Sequence, residues 1–343
     1  MPLSLPSAVG ALANTAGVHT SEDRIARRIE DLQDLLSDDL ESVERAVATV
    51  ADDGVEPATD AARHLIVRGG KRVRPLALLL SAACFGPVPP VARELAVVAE
   101  LVHSATLLHD DVIDEGQVRR GAETARRVWG NAVSVLAGDL VLVHALQKTM
   151  DAAPDVLPDL LGTLRSLVDG EVVQLRGRSQ LDVSEATYER VLRDKTASLF
   201  RWATRTGARV AGAPKAQQDQ LADFGERLGI AFQLVDDVLD YSGDRTGKSL
   251  LVDLSEGKMT LPLVLAVRRR PELEEQVRRI HAGDASPVAD VSRTVLESGA
   301  CDEVRRRARR FTERAVSALT DVAPGPARSL LEEVAFQLSE RAA

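Results

Sequence analysis

The sequence predicts an all-α protein, because its hydrophobic residues follow helical periodicity and strand signals are nearly absent. Leucines and valines recur at three- and four-residue steps over long stretches, as between residues 32 and 50. Aromatic residues make up only 3% of the 343 residues, and no alternating β-branched run is bounded by hairpin turns. Glycines interrupt the helical pattern at 69–70, 116–121, 177 and 243–257. Binding groups are expected near these breaks, since loops and helix ends carry most of them.

The helices predicted from this periodicity follow one another with short connections. The first begins near Ser21, a plausible N-cap before Glu22 and Asp23. Further helices are predicted over approximately 57–68, 75–85, 91–115, 132–150, 155–175, 184–210, 215–240 and 261–269, followed by amphipathic segments to the C-terminus. Residues 1–20 lack the features of a signal peptide and are expected to be a flexible leader. Residues 21–343 are expected to form a single helical domain with no transmembrane segment.

Composition excludes several classes of function. The net charge is −9 and the pI is about 5.3, so a basic surface for nucleic acid is not expected. Cys84 and Cys301 are too few for a disulfide framework, which favours a cytoplasmic protein. Without strands, there is no setting for a dinucleotide fingerprint, a Walker loop or a serine nucleophile elbow. The remaining chemistry is that of acids and cations.

Two aspartate triads in apolar helical segments predict metal binding. Asp110, Asp111 and Asp114 stand in LLHDDVIDEG, and the pattern returns 126 positions later as Asp236, Asp237 and Asp240 in FQLVDDVLDYSGD. Spacings of three and four residues place the carboxylates of each triad at one end of a helix. A close pair would repel by about 3 kcal/mol at an effective dielectric of about 20, so a cation is expected there. Carboxylate oxygens suit hard cations, magnesium in particular.

Cations near the first triad predict binding of diphosphate. In GGKRVRP, two glycines end one helix and Pro75 is expected to occupy the first position of the next, with Lys71 and Arg74 beside its N-terminus. Arg119 and Arg120 follow the first triad and suit bidentate phosphate contacts. Acids for metal ions and cations for diphosphates together fit the ionisation of a diphosphate ester.

Other polar residues are less specific on their own. His103 lies seven residues before Asp110 on the same helix face, with Glu100 one turn earlier; it is either a core histidine or a phosphate ligand. Gln233 shares a face with the second triad and is expected to be its polar neighbour. Spacing alone does not distinguish the following residues from solvent-facing ones: Lys195, Thr196, Lys248 and Lys258.

The ordered motifs resemble those of the all-trans isoprenyl (polyprenyl) diphosphate synthases. The resemblance runs from about residue 60 to 265 and rests on GGKRVRP, E..H...LLHDDVIDEG..RRG, KTASLF, FQLVDDVLDYSGD and DLSEGKMTLPL. It implies a bundle of antiparallel helices around a deep central cavity, usually in a homodimer. It also implies a magnesium-dependent prenyltransferase that joins isopentenyl diphosphate to an allylic diphosphate: the allylic substrate ionises, the isopentenyl double bond attacks the cation, and the released pyrophosphate removes a proton.

The resemblance also implies a role for each matching residue. The metal ligands would be Asp110, Asp111, Asp114, Asp236, Asp237 and Asp240. Isopentenyl diphosphate would be bound by Lys71, Arg74, His103 and Arg120. The allylic diphosphate would be bound or oriented by Arg119, Lys195, Thr196, Gln233, Lys248 and Lys258, with Lys195 also counted as catalytic. Where the family commonly has Pro and then Gly after Gly247-Lys248, this chain has Ser249 and Leu251.

Product length is a separate expectation. Side chains lean toward the helix N-terminus, so a tail that starts at Asp110 should pass Ala105 and Thr106. Both are small, where short-chain members of the family often carry an aromatic residue, so a product longer than geranylgeranyl diphosphate is expected. The alternative is that Ala105 only packs against a neighbouring helix and that the product is geranylgeranyl or farnesyl diphosphate. A terpene cyclase and a non-catalytic partner subunit are less favoured, because GGKRVRP and both triads are intact.

Overall fold

The computed structural model describes residues 22–50, 52–182, 184–242 and 252–340. The described chain is almost entirely helical, which confirms the predicted all-α class. The elements are α1 (Glu22–Val50), α2 (Ala58–Ile66), α3 (Val73–Ala83), α4 (Pro90–Ile113), β1 (Val118–Arg119), β2 (Ala122–Glu123), α5 (Ala125–Trp129), α6 (Asn131–Ala152), a 3-10 turn (Pro154–Val156), α7 (Leu157–Gln180), α8 (Glu185–Val191), a π-helical turn (Leu192–Ala197), α9 (Ser198–Val210), α10 (Lys215–Ser242), α11 (Val252–Ser255), α12 (Leu261–Arg269), α13 (Leu273–His281), α14 (Val288–Glu297), α15 (Ala300–Ala318) and α16 (Pro326–Glu340).

The chain divides into two compact units. The described residues of unit 1 lie within 1–160, 202–221 and 321–331, and those of unit 2 lie within 161–201, 222–320 and 332–343. In unit 1, α4 packs against α1, α3 and α6. Leucines such as Leu79, Leu95 and Leu108 on these helices are fully buried, which fixes α4 in the core of the unit.

The core of unit 2 is built from the π-turn, the second half of α10 and the helices that follow it. Its buried members include Leu234, Val238, Leu263 and Val304. Helix α12 is apolar on all sides, with every residue from Leu261 to Val267 buried. A helix of this kind belongs in the core, and α12 packs against α13, α14 and α15.

The predicted helices are present, with several local differences. Pro75 is the third residue of α3, not the first, because the helix begins at Val73. The position is tolerated, since the first N–H groups of a helix need no intrahelical partner. Gly177 does not break α7, which continues to Gln180. The segment predicted as one helix over 184–210 contains a π-turn, and a two-stranded hairpin follows α4.

Some sequence expectations fall outside the described residues. The proposed leader at 1–20 and the N-cap Ser21 lie there, as do Lys248, Ser249 and Leu251. Among the described residues, no helix combines the length and the apolar character that crossing a membrane requires.

Candidate active site

The first aspartate triad ends helix α4 in unit 1. Asp111 and Asp114 are 2% and 8% exposed, and Asp114 is the C-cap residue, whose N–H donates to the carbonyl of Asp110 at 2.8 Å. The negative end of the helix dipole disfavours carboxylates at this position. The sequence therefore concentrates negative charge where the fold does not stabilise it, as a cation-binding site requires.

Asp111 is the member of this triad that the protein itself engages. The Arg119 guanidinium donates from Nε to Oδ1 of Asp111 at 2.6 Å. Burial raises the pKa of Asp111, and the charges of Asp110 and Asp114 raise it further, while Arg119 opposes the shift. Arg119 offsets only part of the unfavourable environment of the three carboxylates.

The hairpin after α4 positions the two arginines of the RRG motif. Arg119 pairs with Ala122 across the strands, and Arg120 and Gly121 form the two-residue loop with φ values of 52° and 75°. Two consecutive left-handed residues are typical of the type I′ turns that join short antiparallel strands. The Arg120 side chain lies against Gly70 of the GGKRVRP loop. A Cβ added to Gly70 would lie 2.7 Å from Nη2 of Arg120. Glycine at position 70 thus leaves room for the guanidinium.

The GGKRVRP loop separates its cations into a buried one and outward ones. Arg72 is 5% exposed and has a φ of 45°; it donates to both carboxylate oxygens of Glu44 at 2.7 and 3.1 Å and also to Glu100. These partners raise the pKa of Arg72 despite its burial. Lys71 is exposed and Arg74 is half-buried. The ion pairs of Arg72 fix the backbone from which Lys71 and Arg74 extend.

His103 lies in the electrostatic field of this cationic cluster. Burial lowers the pKa of His103 well below its ordinary value, and Arg74, Arg120, Arg119 and Arg72 lower it further. The imidazole is therefore neutral at pH 7. It can donate one N–H bond to a phosphate oxygen, but it adds no positive charge.

The second triad lies near the end of α10 in unit 2, and its central member is embedded in donors. Asp237 is 3% exposed; Oδ2 accepts the Tyr188 hydroxyl at 2.6 Å and the Leu261 N–H at 3.4 Å, and Oδ1 accepts Nε2 of Gln233 at 3.0 Å. Burial raises the pKa of Asp237 to about 7, with a further contribution from Asp253, although these hydrogen bonds oppose the shift. Leu261 begins α12, so the carboxylate also meets a positive helix end.

Lys195 and Thr196 lie in the π-turn of unit 2, and Thr196 is linked to Asp237 of the second triad through Gln233. Lys195 forms an ion pair with Glu171 of α7. The Thr196 hydroxyl donates to Oε1 of Gln233 at 3.3 Å, and Gln233 in turn donates to Asp237. The structure therefore links Thr196, Gln233 and Asp237 by hydrogen bonds, and it pairs Lys195 with Glu171.

Lys258 is held by acids of its own loop. Its Nζ lies 2.7 Å from Oε2 of Glu256 and 3.4 Å from Oδ1 of Asp253.

On α4, Ala105 is 1% exposed, and the Thr106 hydroxyl donates to the carbonyl of His103 at 2.8 Å. Both of these α4 residues have small side chains.

Within the described ranges, no three acidic, histidine or cysteine side chains converge as ligands of one metal ion. Magnesium commonly takes one or two carboxylates and completes its shell with water and substrate phosphates. The triads fit that mode of binding better than an all-protein cage.

Several partners of the site were not found from the sequence. Arg72 stands in GGKRVRP, but its ion pair with Glu44 spans 28 positions, which no local pattern indicates. Tyr188 and Asp237 are 49 positions apart. Glu171, which pairs with Lys195, lies on a different helix, so local spacing does not indicate the pair.

The chain matches known proteins over most of its length. The family model described as Polyprenyl synthetase matches residues 55–297. The chain belongs to this family. As a member of this family, the chain is an enzyme, a prenyltransferase of the trans-polyprenyl diphosphate synthase type.

Individual members of the family are similar at the level of the whole chain. The octaprenyl diphosphate synthase of Escherichia coli (strain K12) is 35% identical over 309 residues, covering 88% of this chain and 96% of that enzyme. The all-trans-nonaprenyl-diphosphate synthase (geranyl-diphosphate specific) of Rhodobacter capsulatus is 40% identical over 263 residues, covering 75% and 81%. A crystal structure of a polyprenyl synthase from Caulobacter crescentus CB15, complexed with calcium and isoprenyl diphosphate, has a TM-score of 0.85 and 37% identity, covering 91% and 98%.

Proposed function

We propose that this prenyltransferase condenses isopentenyl diphosphate with an allylic diphosphate, head to tail and in trans geometry, with magnesium as its metal. The observation that carries the proposal is the end of α4, where buried Asp111 and Asp114 adjoin Asp110 and the guanidinium of Arg119. Oxygen ligands for a hard cation and donors for a diphosphate occur there side by side. That combination suits ionisation of a diphosphate ester.

The residues present fit magnesium. The proposed ligands are the carboxylates of Asp110, Asp111, Asp114, Asp236, Asp237 and Asp240. Burial and mutual repulsion already raise the pKa of Asp111, so a bound cation would relieve an existing cost. When bound, magnesium neutralises the charge that develops on the departing pyrophosphate. The calcium in the crystals of the Caulobacter enzyme supports a divalent metal in this family.

The cations of the chain divide between the two substrates in this proposal. Lys71, Arg74 and Arg120 bind isopentenyl diphosphate, and neutral His103 donates one N–H to it. The allylic diphosphate is bound or oriented by Arg119, Lys195, Thr196, Gln233, Lys248 and Lys258. Lys195 and Lys258 each exchange a carboxylate partner, Glu171 or Glu256, for phosphate oxygens. In the absence of substrate, a carboxylate therefore balances the positive charge of each lysine.

The product is proposed to be longer than geranylgeranyl diphosphate. The relatives from E. coli and R. capsulatus are named for octaprenyl and nonaprenyl products. Ala105 and Thr106, one turn before Asp110, offer no bulky group to stop a growing tail. Geranylgeranyl or farnesyl diphosphate remains the competing product.

We further propose a cytoplasmic homodimer that binds no nucleic acid. Leu136, Val143 and Met150 on α6 are 59%, 48% and 54% exposed and recur every seven residues. An exposed apolar row of this kind on one helix supports a protein–protein interface. Light scattering of the purified protein tests the dimer, and a monomer at micromolar concentration would contradict it.

Product analysis tests the function. Purified enzyme is incubated with labelled isopentenyl diphosphate, magnesium and one allylic primer at a time, and the dephosphorylated products are sized. We expect products beyond twenty carbons, and loss of all product with a chelator. Asp110→Ala and Asp236→Ala should each reduce turnover by at least about a hundredfold while preserving the helical spectrum. Near-normal turnover in either variant, or with excess chelator, would contradict the metal site.

A further inference from the structure

The π-turn Leu192–Ala197 is the least regular part of an otherwise continuous helical segment, 185–210. It carries Lys195 and Thr196. A π-turn adds a residue to the helical repeat and costs regular hydrogen bonding, so it persists where packing holds it, often at functional sites. The neighbours of this turn show what holds it.

Two helical glycines contact the backbone of the π-turn. A Cβ on Gly170 of α7 would lie 2.7 Å from the backbone N of Lys195 and 3.0 Å from Cβ of Asp194. A Cβ on Gly229 of α10 would lie 2.7 Å from Cα of Ala197. Both distances are shorter than real Cβ contacts, so α7 and α10 approach the turn this closely because both positions lack a side chain.

The next residues along the same helices hold the side chains of the turn. Glu171 follows Gly170 and pairs with Lys195. Gly229, Gln233 and Asp237 are spaced by four residues and form one row on α10. Gln233 accepts the Thr196 hydroxyl at 3.3 Å and donates to Asp237 at 3.0 Å. Backbone and side chains of the π-turn are therefore fixed from both sides.

Gly162, another glycine of α7, lacks close contacts of this kind. Around a Cβ on Gly162, the described residues place no atom within 4 Å. Alanine is the better helix former at all three positions, so glycine is disfavoured at 170 and 229 unless the close approach requires it. Gly162 provides a matched control on the same helix.

We propose that Gly170 and Gly229 are positioning residues for the condensation: they seat the π-turn so that Lys195 and Thr196 are placed to receive the diphosphate of the allylic substrate. This inference rests on the proposed function, which assigns that substrate to Lys195 and Thr196. The glycines themselves touch no substrate. They act through the position of the turn.

The test compares Gly170→Ala, Gly229→Ala and Gly162→Ala with the wild type and with Lys195→Ala. For each, KM and kcat are measured for the allylic primer and for isopentenyl diphosphate, and binding of inorganic pyrophosphate is measured by calorimetry. Relieving a 2.7 Å contact requires a shift of several tenths of an ångström. Misplacement on that scale is expected to raise the KM of the allylic primer and weaken pyrophosphate binding by roughly tenfold.

The expected pattern is selective. Gly170→Ala and Gly229→Ala change the allylic constants in the same direction as Lys195→Ala, with the KM of isopentenyl diphosphate within about twofold of wild type. Gly162→Ala matches wild type in all constants. The proposal is overturned if Gly170→Ala and Gly229→Ala behave like Gly162→Ala, or if both substrates are affected equally.

Failure of the variants to fold and failure of the proposed function can each be distinguished from failure of the positioning role. If Gly170→Ala and Gly229→Ala both fail to fold while Gly162→Ala folds, the glycines serve stability and the positioning role is wrong. If the wild type makes no prenyl product, or if Lys195→Ala leaves the allylic constants unchanged, the proposed function or its ligand assignment has failed instead. An active wild type with a sensitive Lys195→Ala isolates the result for the glycines.

Discussion

The central aspartate of each triad is more deeply embedded in protein than its sequence pattern suggests. Asp111 accepts a guanidinium hydrogen bond from Arg119, and Asp237 accepts three hydrogen bonds from Tyr188, Gln233 and the Leu261 backbone. Burial raises the pKa of Tyr188, so its hydroxyl stays protonated and donates. These contacts fix the orientation of the carboxylates before substrate binds, as a binding constellation needs.

Asp237 should make stability depend on pH. Its pKa is raised to about 7 in the folded protein, so the folded state holds a proton that the unfolded state has released above about pH 4. This contribution to stability is full below that value and is lost as the pH rises toward 7. Asp237→Asn, measured without magnesium, should therefore gain stability relative to wild type between pH 4 and 8, by about 2–4 kcal/mol in all.

The measurement is the difference in free energy of unfolding between variant and wild type across that pH range. Asp290→Asn, at a carboxylate 61% exposed, is the control for removal of a surface carboxylate. A flat difference for Asp237→Asn would show that the carboxylate is ionised throughout the range. Its proton would then not contribute to stability.

At the scale of single elements, hydrophobic periodicity predicted where helices occur but not how they are locally adapted. Helix α3 begins at Val73, two residues before Pro75, and follows Arg72, which has a left-handed conformation and an ion pair with Glu44. Gly177 was expected to end α7, but packing overrides the weak preference of a single glycine. The π-turn was not predicted from the sequence, and Gly170 and Gly229, which contact it, lie on other helices.

Helix α4 carries the prediction on product length. Ala105→Phe should shorten the main product by one or more five-carbon units and leave the rate of the first condensation little changed, because the ring would obstruct the tail one turn before Asp110. Ala105→Leu should have a smaller effect in the same direction. Product distribution from a single primer is the measurement.

Ala105 is 1% exposed, so a larger side chain can also strain the packing of α4. Thermal unfolding of both variants separates strain from obstruction of the tail. Unchanged products from a folded Ala105→Phe enzyme would show that this residue only packs against its neighbours. A wild type that stops at fifteen carbons would contradict the expected product longer than geranylgeranyl diphosphate.

For the whole molecule, the sequence predicted the fold class and located the motifs of the candidate site, but not the contacts that build it. Each triad and each cationic motif is local in sequence, so its residue types and spacing could be read directly. Partners such as Glu44 for Arg72 and Tyr188 for Asp237 depend on the tertiary fold, which periodicity does not determine. The net charge of −9 likewise concealed the cationic cluster around Arg74, Arg119 and Arg120, because a sum does not report where charges lie.

The two substrates should depend on different parts of the molecule. Arg74 lies in the cationic cluster of unit 1, and Lys195 lies in the π-turn of unit 2. Arg74→Ala should chiefly raise the KM of isopentenyl diphosphate, and Lys195→Ala should chiefly raise that of the allylic primer. Loss of one charged hydrogen bond predicts an effect of roughly tenfold or more in each case.

In Arg74→Ala, the pKa of His103 is a second measurement that reports on the cationic cluster of unit 1. The charge of Arg74 helps to hold the pKa of His103 below its ordinary value, so removing that charge should let the pKa of His103 rise. In wild type the His103 imidazole should stay neutral near neutral pH, whereas in Arg74→Ala its titration should move to higher pH, as NMR assigned to this imidazole can detect. Arg127→Ala, at an arginine 51% exposed, should change neither substrate constant. If Arg74→Ala affected the allylic primer and Lys195→Ala affected isopentenyl diphosphate, the two diphosphate sites would have to be exchanged.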